Sequence, residues 1–187
     1  MSELIVTEFV TLDGVMEAPG GEPSHPHTGW AGSMGPDEAA LKSQEVFDND
    51  ILLVGRVTYE SFAGAWPDYE GEMADRMNSM PKYVVSSTLT DPAWTNTTVL
   101  DGDPMQAVAD LKARDEGSIL VAGSCTLVHS LFEADLVDQV QLMIFPVSIG
   151  GGLRLFPESR TKTSFTLTET QTFPSGVVWQ IYRTSRD

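Results

Sequence analysis

Short apolar runs alternate with segments of helical period along most of this chain, and their order predicts its architecture. Leu4 to Leu12, rich in β-branched and aromatic residues, reads as a strand that stops at the turn signal Asp13-Gly14. A long loop follows from Ala18 to Gly35 and carries His25, His27 and Trp30 among its Gly and Pro residues. Loops of this length inside a compact domain are usually functional or mobile. Asp37 to Asp48 has helical spacing, with Ala39, Ala40, Ser43, Val46 and Phe47 on one inward face and Asp37 and Glu38 suited to the first turn. The run Ile51 to Val54 ends in Gly55-Arg56, after which Val57 to Phe62 take up helical spacing. Thr58 is placed there to bond the first free amides.

A polar connection containing Trp66-Pro67 leads to a short helix near Glu72 to Met80, which Pro81 ends. Lys82 to Ser86 is a second buried strand and Thr97 to Leu100 a short third one. Pro104 to Arg114 reads as a helix with Pro104 at its tolerated first turn. Ile119 to Ala122 is again a strand meeting a glycine, Gly123. Ser124 then opens a helix from Thr126 to Glu133, and Val137 to Phe145 is a longer strand. After the Gly150-Gly151-Gly152 segment, Phe165 to Phe173 and Val177 to Arg183 alternate around Pro174-Ser175-Gly176 as a hairpin. Strands alternating with helices, then a closing hairpin, predict one α/β domain over residues 1–187, its sheet mostly parallel with an antiparallel edge.

Charge narrows the function. The 27 acidic and 11 basic residues leave a formal charge of -16, which repels nucleic acid and anionic membrane surfaces. An anionic ligand must therefore be met by local groups. No apolar run reaches the ~20 residues of a membrane span, and the N-terminus lacks the pattern of a secretory signal, so a cytoplasmic protein is expected. The single cysteine, Cys125, excludes an internal disulfide and a thiolate zinc cluster. His25 and His27 offer two metal ligands without a recognisable third, so no metal is expected.

Three strand ends repeat one theme: Gly55-Arg56-Val57-Thr58, Ser86-Ser87-Thr88 and Gly123-Ser124. Open α/β sheets bind ligands at the carboxyl ends of their strands, so the three suggest one nucleotide groove. Neither GxGxxG nor GxxxxGK[ST] occurs, which argues against a Rossmann dehydrogenase and an NTPase. The ordered set VTLDG, LLVGRVTYESF, KYVVSST, VAGSCTLVHSLFEADLVDQVQL and FPVSIGGGLRLF resembles the dihydrofolate reductase-like superfamily. It is most similar to the branch related to the reductase domain of the riboflavin-biosynthesis deaminase/reductase, and the similarity covers nearly the whole chain.

That resemblance implies a three-layer fold, a reductase using NADPH and a homodimer, for which the long strand Val137 to Phe145, flanked by the glycine loop, is expected to present an apolar edge. By matching motif positions it implies that Gly55, Arg56, Val57, Thr58, Ser86, Ser87, Gly123 and Ser124 hold the cofactor. It also places Asp13 near the substrate, as a proton source or a positioning group; on turn chemistry alone Asp13 is equally a residue that caps its own backbone. Trp30 either lines the substrate edge or anchors the loop. Two departures stand out. The usual Gly-Gly is Ala122-Gly123 here, and the carboxylic acid that folate reductases carry one turn into their first helix is absent if Ala39 and Ala40 face inward. The implied activity is hydride transfer to a small heterocycle or carbonyl, the ribosylamino-pyrimidine intermediate of riboflavin synthesis being one case. The deaminase zinc pattern is missing. The alternative is a nucleotide-binding or dimeric interaction module without turnover.

Overall fold

The computed structural model describes residues 1–32, 34–157 and 162–185. Among these residues eight strands form one sheet: β1 (Leu4–Thr11), β2 (Ile51–Gly55), β3 (Lys82–Val85), β4 (Thr97–Leu100), β5 (Ile119–Val121), β6 (Gln139–Phe145), β7 (Ser164–Thr172) and β8 (Val178–Ser185). Their spatial order is β4-β3-β2-β5-β1-β6-β8-β7. Strands β1 to β6 pair in parallel, whereas β8 pairs antiparallel with both β6 and β7. Five α-helices connect them: α1 (Pro36–Phe47), α2 (Arg56–Ala63), α3 (Glu72–Ser79), α4 (Pro104–Ala113) and α5 (Cys125–Glu133). A 3-10 turn spans Trp66–Asp68. The expected strands and α-helices correspond one to one with those observed, their ends differing by at most two residues, whereas the turn at Trp66–Asp68 was expected only as a polar connection.

Helices cover both faces, because successive strand side chains point to opposite sides. Leu4, Val6, Ile51, Leu53, Ile119 and Val121 pack on Val108 and Leu111 of α4 and Leu127, Val128 and Leu131 of α5. Ile5, Leu52, Val54 and Leu120 pack instead on Val46 of α1, Tyr59 of α2 and Met77 of α3. The central strands therefore read as continuous apolar runs, as strands buried on both faces must.

Two expectations about packing are corrected. Strand β6 is interior, paired with β1 on one side and β8 on the other, so it offers no edge to a second chain. The outer strands are β4 and β7. The inward face of α1 is not Ala39, Ala40 and Phe47: Ala40 and Phe47 are exposed, whereas Glu38, Glu45 and Val46 are buried. These carboxylates are tolerated inside because distant groups satisfy them. Trp179 Nε1 on β8 donates to Glu45 Oε1 at 2.9 Å, and Thr7 Oγ1 on β1 donates to Glu45 Oε2 at 2.6 Å.

Candidate functional site

The parallel strands end at one side of the sheet, and the candidate residues gather there. Gly55 closes β2 opposite Val85, the last residue of β3. Gly123 lies two residues past Val121, which pairs with Leu53, so it stands level with Gly55. The Gly55 amide donates to the Gly123 carbonyl at 3.2 Å. Side chains are excluded at this junction: a Cβ on Gly55 would come 2.2 Å from Ser124 Oγ, and Gly123 has φ +79° with Thr58 Oγ1 beside its Cα.

Gly55 is the N-cap of α2 and Ser124 the N-cap of α5, so the two helices begin next to each other. Neither N-terminus has a side-chain cap or an acidic residue in its first turn. The contrast with the other helices is sharp in so acidic a protein: α1 starts with Asp37 and Glu38, α3 carries Glu72 and Asp75, and α4 is capped by Asp103. Two uncapped helix starts side by side present free N–H groups and positive dipole ends to the same space.

The remaining predicted cofactor residues divide. Thr58 is not the cap but lies two positions into α2, half-buried against Gly123. Val57 is exposed on the first turn. Arg56 is exposed and its Nη1 donates to both oxygens of Glu60, at 2.8 and 3.0 Å. Ser86 turns its hydroxyl back to accept from the amides of Thr88 and Leu89, whereas Ser87 is exposed beside it. Ser124 Oγ lies 3.1 Å from Thr126 Oγ1.

On the α1 face of the same sheet end is a cavity of about 230 Å³, walled by Trp30, Met34, Phe145 and Val177, with Glu38 and Ser175 as its polar groups. Trp30 anchors the loop and also lines this cavity. Its Nε1 donates to the Glu17 carbonyl at 2.7 Å, which anchors the loop, and its ring meets Phe145 edge-on at 5.6 Å in the cavity wall. Glu38 is only 3% exposed. It accepts from the Gly35 amide and from the Ser175 hydroxyl. An acid one turn into the first helix is therefore present. The apolar spacing of α1 hid it, because the hydroxyl that satisfies it comes from the C-terminal hairpin.

Asp13 sits at the turn after β1, and its carboxylate accepts from Thr11 Oγ1 at 2.6 Å, Gly150 N at 2.8 Å and Ile149 N at 3.3 Å. Arg154 donates to its carbonyl. The Thr11 hydroxyl foremost, then the loop amides, hold this carboxyl far below the usual carboxylate range. Asp13 thus keeps its charge at neutral pH and ties the 149–154 loop to β1; the expectation that it supplies a proton does not fit this environment. His25 and His27 have rings 5.7 Å apart, and among the described residues no group of three or more His, Cys, Asp or Glu side chains is arranged for a metal.

A sequence model of the RibD C-terminal domain matches residues 2–179. The chain belongs to that family. Among curated proteins it is similar to YyaP of Bacillus subtilis (strain 168), described as uncharacterized, at 28% identity over 96% of this chain and 93% of that one. YwjB of the same organism, also described as uncharacterized, is 25% identical over 68% of this chain and 70% of that one. Among solved structures, a putative riboflavin biosynthesis protein from Shewanella sp. PV-4 has a TM-score of 0.73 at 23% identity, covering 98% of this chain and 99% of that one. A pyrimidine reductase-like protein from Corynebacterium diphtheriae has a TM-score of 0.71 at 16% identity, covering 100% and 93%. At these identities the structures establish the fold alone. Among the described residues no helix is long and apolar enough to cross a membrane.

Proposed function

We propose that this protein is an NADPH-dependent reductase of a small, planar heterocycle or carbonyl compound. The observation that carries the reading is the pair of uncapped helix starts at Gly55 and Ser124, neither with an acidic residue in its own first turn, set together in a chain of charge -16. Such a pair suits a pyrophosphate, and membership of the RibD C-terminal family makes a nicotinamide dinucleotide the natural candidate. When bound, the reduced nicotinamide supplies hydride.

The chain's own groups then have distinct tasks. The first amides of α2 and α5, with Thr58 beside them, receive the phosphates, and Arg56 and Ser87 lie within the same edge for a 2′-phosphate. Trp30 and Phe145 offer flat apolar walls to a ring, and Glu38 offers a buried carboxylate to its N–H donors. Asp13 holds the glycine loop over this end of the sheet. A pyrimidine agrees with the likeness to the pyrimidine reductase-like protein of Corynebacterium diphtheriae and a pterin with the place of Glu38, so both belong in the substrate panel.

The test is quenching of tryptophan fluorescence on titration with NADPH and NADH, followed by NADPH oxidation with aminopyrimidines, pterins and aldehydes. Absence of NADPH binding would sink the reading. Binding without oxidation of any panel member would favour a nucleotide-binding module. We also propose a homodimer, now through β7, which is outermost and exposed from Thr166 to Thr172. A light-scattering mass of 20.4 kDa would remove it.

A further inference from the structure

The strand register sets one more acid in the row that holds Gly55 and Gly123. Val6 of β1 pairs with Val121 of β5, and there the β1–β5 ladder stops. Strand β1 runs on beside β6 as far as Thr11, so Thr7 and Glu8 border an opening whose far side is Ala122-Gly123-Ser124. Counting two residues past Val6 and Val121 makes Glu8 level with Gly123, which is itself level with Gly55. The Gly123 amide faces the Glu8 carboxyl across this opening. Glu8 as a residue is half-buried, yet its Oε1 is sealed from solvent and has no hydrogen-bond partner. Buried polar atoms are nearly always paired, and an unpaired one in a cleft is an unused bonding position.

The groups around Glu8 do not neutralise it. Lys42 on α1 is the nearby cation, but its Nζ donates to Thr7 Oγ1 and to Glu45 Oε2. Cys125 on α5 and Glu17 in the loop after β1 lie on the other side. His129, one turn along α5, is 2.7 Å from the Arg154 carbonyl and 3.3 Å from Cys125 Sγ. Burial pushes the Glu8 carboxyl up to about 8, with Lys42 and the Gly123 amide pulling the other way. Burial, helped by Glu8 and Glu17, pushes the Cys125 thiol up to about 11, so the thiol is no source of charge here. The other two acids are committed: Asp13 is held ionised, and both oxygens of Glu38 already accept hydrogen bonds.

We propose that Glu8, whose side chain shares the α4/α5 face with Leu4 and Val6, is the catalytic acid of the reductase inferred above, donating a proton from its carboxyl through the opening between β1 and Gly123 to a ring that enters it from the cavity on the α1 face. The inference rests on that reading. Reduction of a C=N or C=O bond adds a hydride and a proton. The substrate carbon takes the hydride pair from a reduced nicotinamide, and the neighbouring nitrogen or oxygen takes the proton as the Glu8 O–H bond breaks. Water then returns a proton to the Glu8 carboxylate. A group titrating near the working pH is the most effective at such a transfer.

The test follows the carboxyl itself. Protein labelled with ¹³C at the glutamate carboxyl carbons is titrated by NMR, and Glu8→Gln assigns the resonance. The expected result is a midpoint several units above that of an ordinary glutamate, and a resonance that moves when NADPH is added. A midpoint between 4 and 5, or indifference to saturating NADPH, would overturn the role of Glu8 while leaving the reductase reading intact. With any panel member that is reduced, Glu8→Gln should keep NADPH affinity within about threefold and lower turnover by ~10²- to 10⁴-fold, with Glu8→Asp recovering part of it. Unchanged turnover overturns the proposal. If wild type neither binds NADPH nor oxidises it with the panel, the reductase reading fails first, and the acid role with it.

Discussion

Ser175, in the turn of the C-terminal hairpin, donates its hydroxyl to Glu38 in the first turn of α1, across 137 positions of sequence. The same hydroxyl accepts from the Val177 amide at 3.2 Å, so the hairpin turn is fixed as it fixes the acid. Glu38 thus owes its place in the cavity to the last two strands. Hydrogen bonds to a charged group contribute about 1.5–3 kcal/mol, or roughly 10- to 150-fold in binding. Glu38→Gln is expected to weaken a ring substrate bearing N–H donors by that factor, with little change in NADPH affinity. Ser175→Ala should do less, about 1 kcal/mol, because the Gly35 amide still holds the carboxylate. KM and dissociation constants for both variants measure the difference, and equal effects on substrate and cofactor would show that Glu38 is only a structural cap.

Arg56 tests the cofactor end. Its bond to Glu60 joins two exposed side chains one helical turn apart, an arrangement worth at most about 1 kcal/mol and screened by salt. The guanidinium is therefore cheaply released to a phosphate. Arg56→Ala should leave thermal stability nearly unchanged and remove most of the preference for NADPH over NADH, whereas Glu60→Gln should raise NADPH affinity slightly. Fluorescence titrations with both dinucleotides decide it: a wild type that binds them equally excludes Arg56 as the 2′-phosphate group.

The element order was legible because strands buried on both faces, such as ILLVG at Ile51–Gly55, differ plainly from the helix-period segments between them. The meeting of Gly55 and Gly123 was legible for the same reason, since strand ends of a parallel sheet lie on one side. Glu38 was misplaced because the apolar period of α1 points elsewhere, and the partners of its buried acids lie on β1, on β8 and in the hairpin turn. The edge assigned to β6 failed similarly: only pairing with the hairpin makes β6 interior. Glu8 was passed over as one polar residue in a strand, although a carboxylate inside LIVTEFVT is a signal once β1 is known to be central.

Asp13→Asn separates loop anchoring from proton transfer. The native carboxylate is held below its ordinary range, so the fold gains stability from it above the unfolded value and loses that stability as pH falls toward the folded one. The Asn variant lacks this dependence and should unfold with less sensitivity to acid. Its amide accepts fewer strong bonds from Ile149 and Gly150, so the loop should loosen. Limited proteolysis at neutral pH is expected to cut near residues 149–152 faster in the variant. Identical cleavage would mean that the loop is held by its other bonds, from Leu153 N to Glu17 and from Arg154 to the Asp13 carbonyl.

Stability against pH gives a reading of Glu8 that needs neither cofactor nor substrate. Its carboxyl is raised from the ordinary 4.5 to about 8, so between those values the native chain holds a proton that the unfolded chain has released. Wild-type stability contributed by this site is then full below pH 4.5 and falls as pH rises through the window, by at most about 1.4 kcal/mol per pH unit. Glutamine at the same position is neutral at every pH and has nothing to release. Urea unfolding at pH 5, 6, 7, 8 and 9 should therefore show Glu8→Gln gaining on wild type from about pH 5 to 8, then running parallel to it. The other acids titrate alike in both proteins and cancel in the difference. A difference between the two that does not change with pH would place Glu8 among ordinary solvated carboxylates, and its buried oxygen would then have to be satisfied by water.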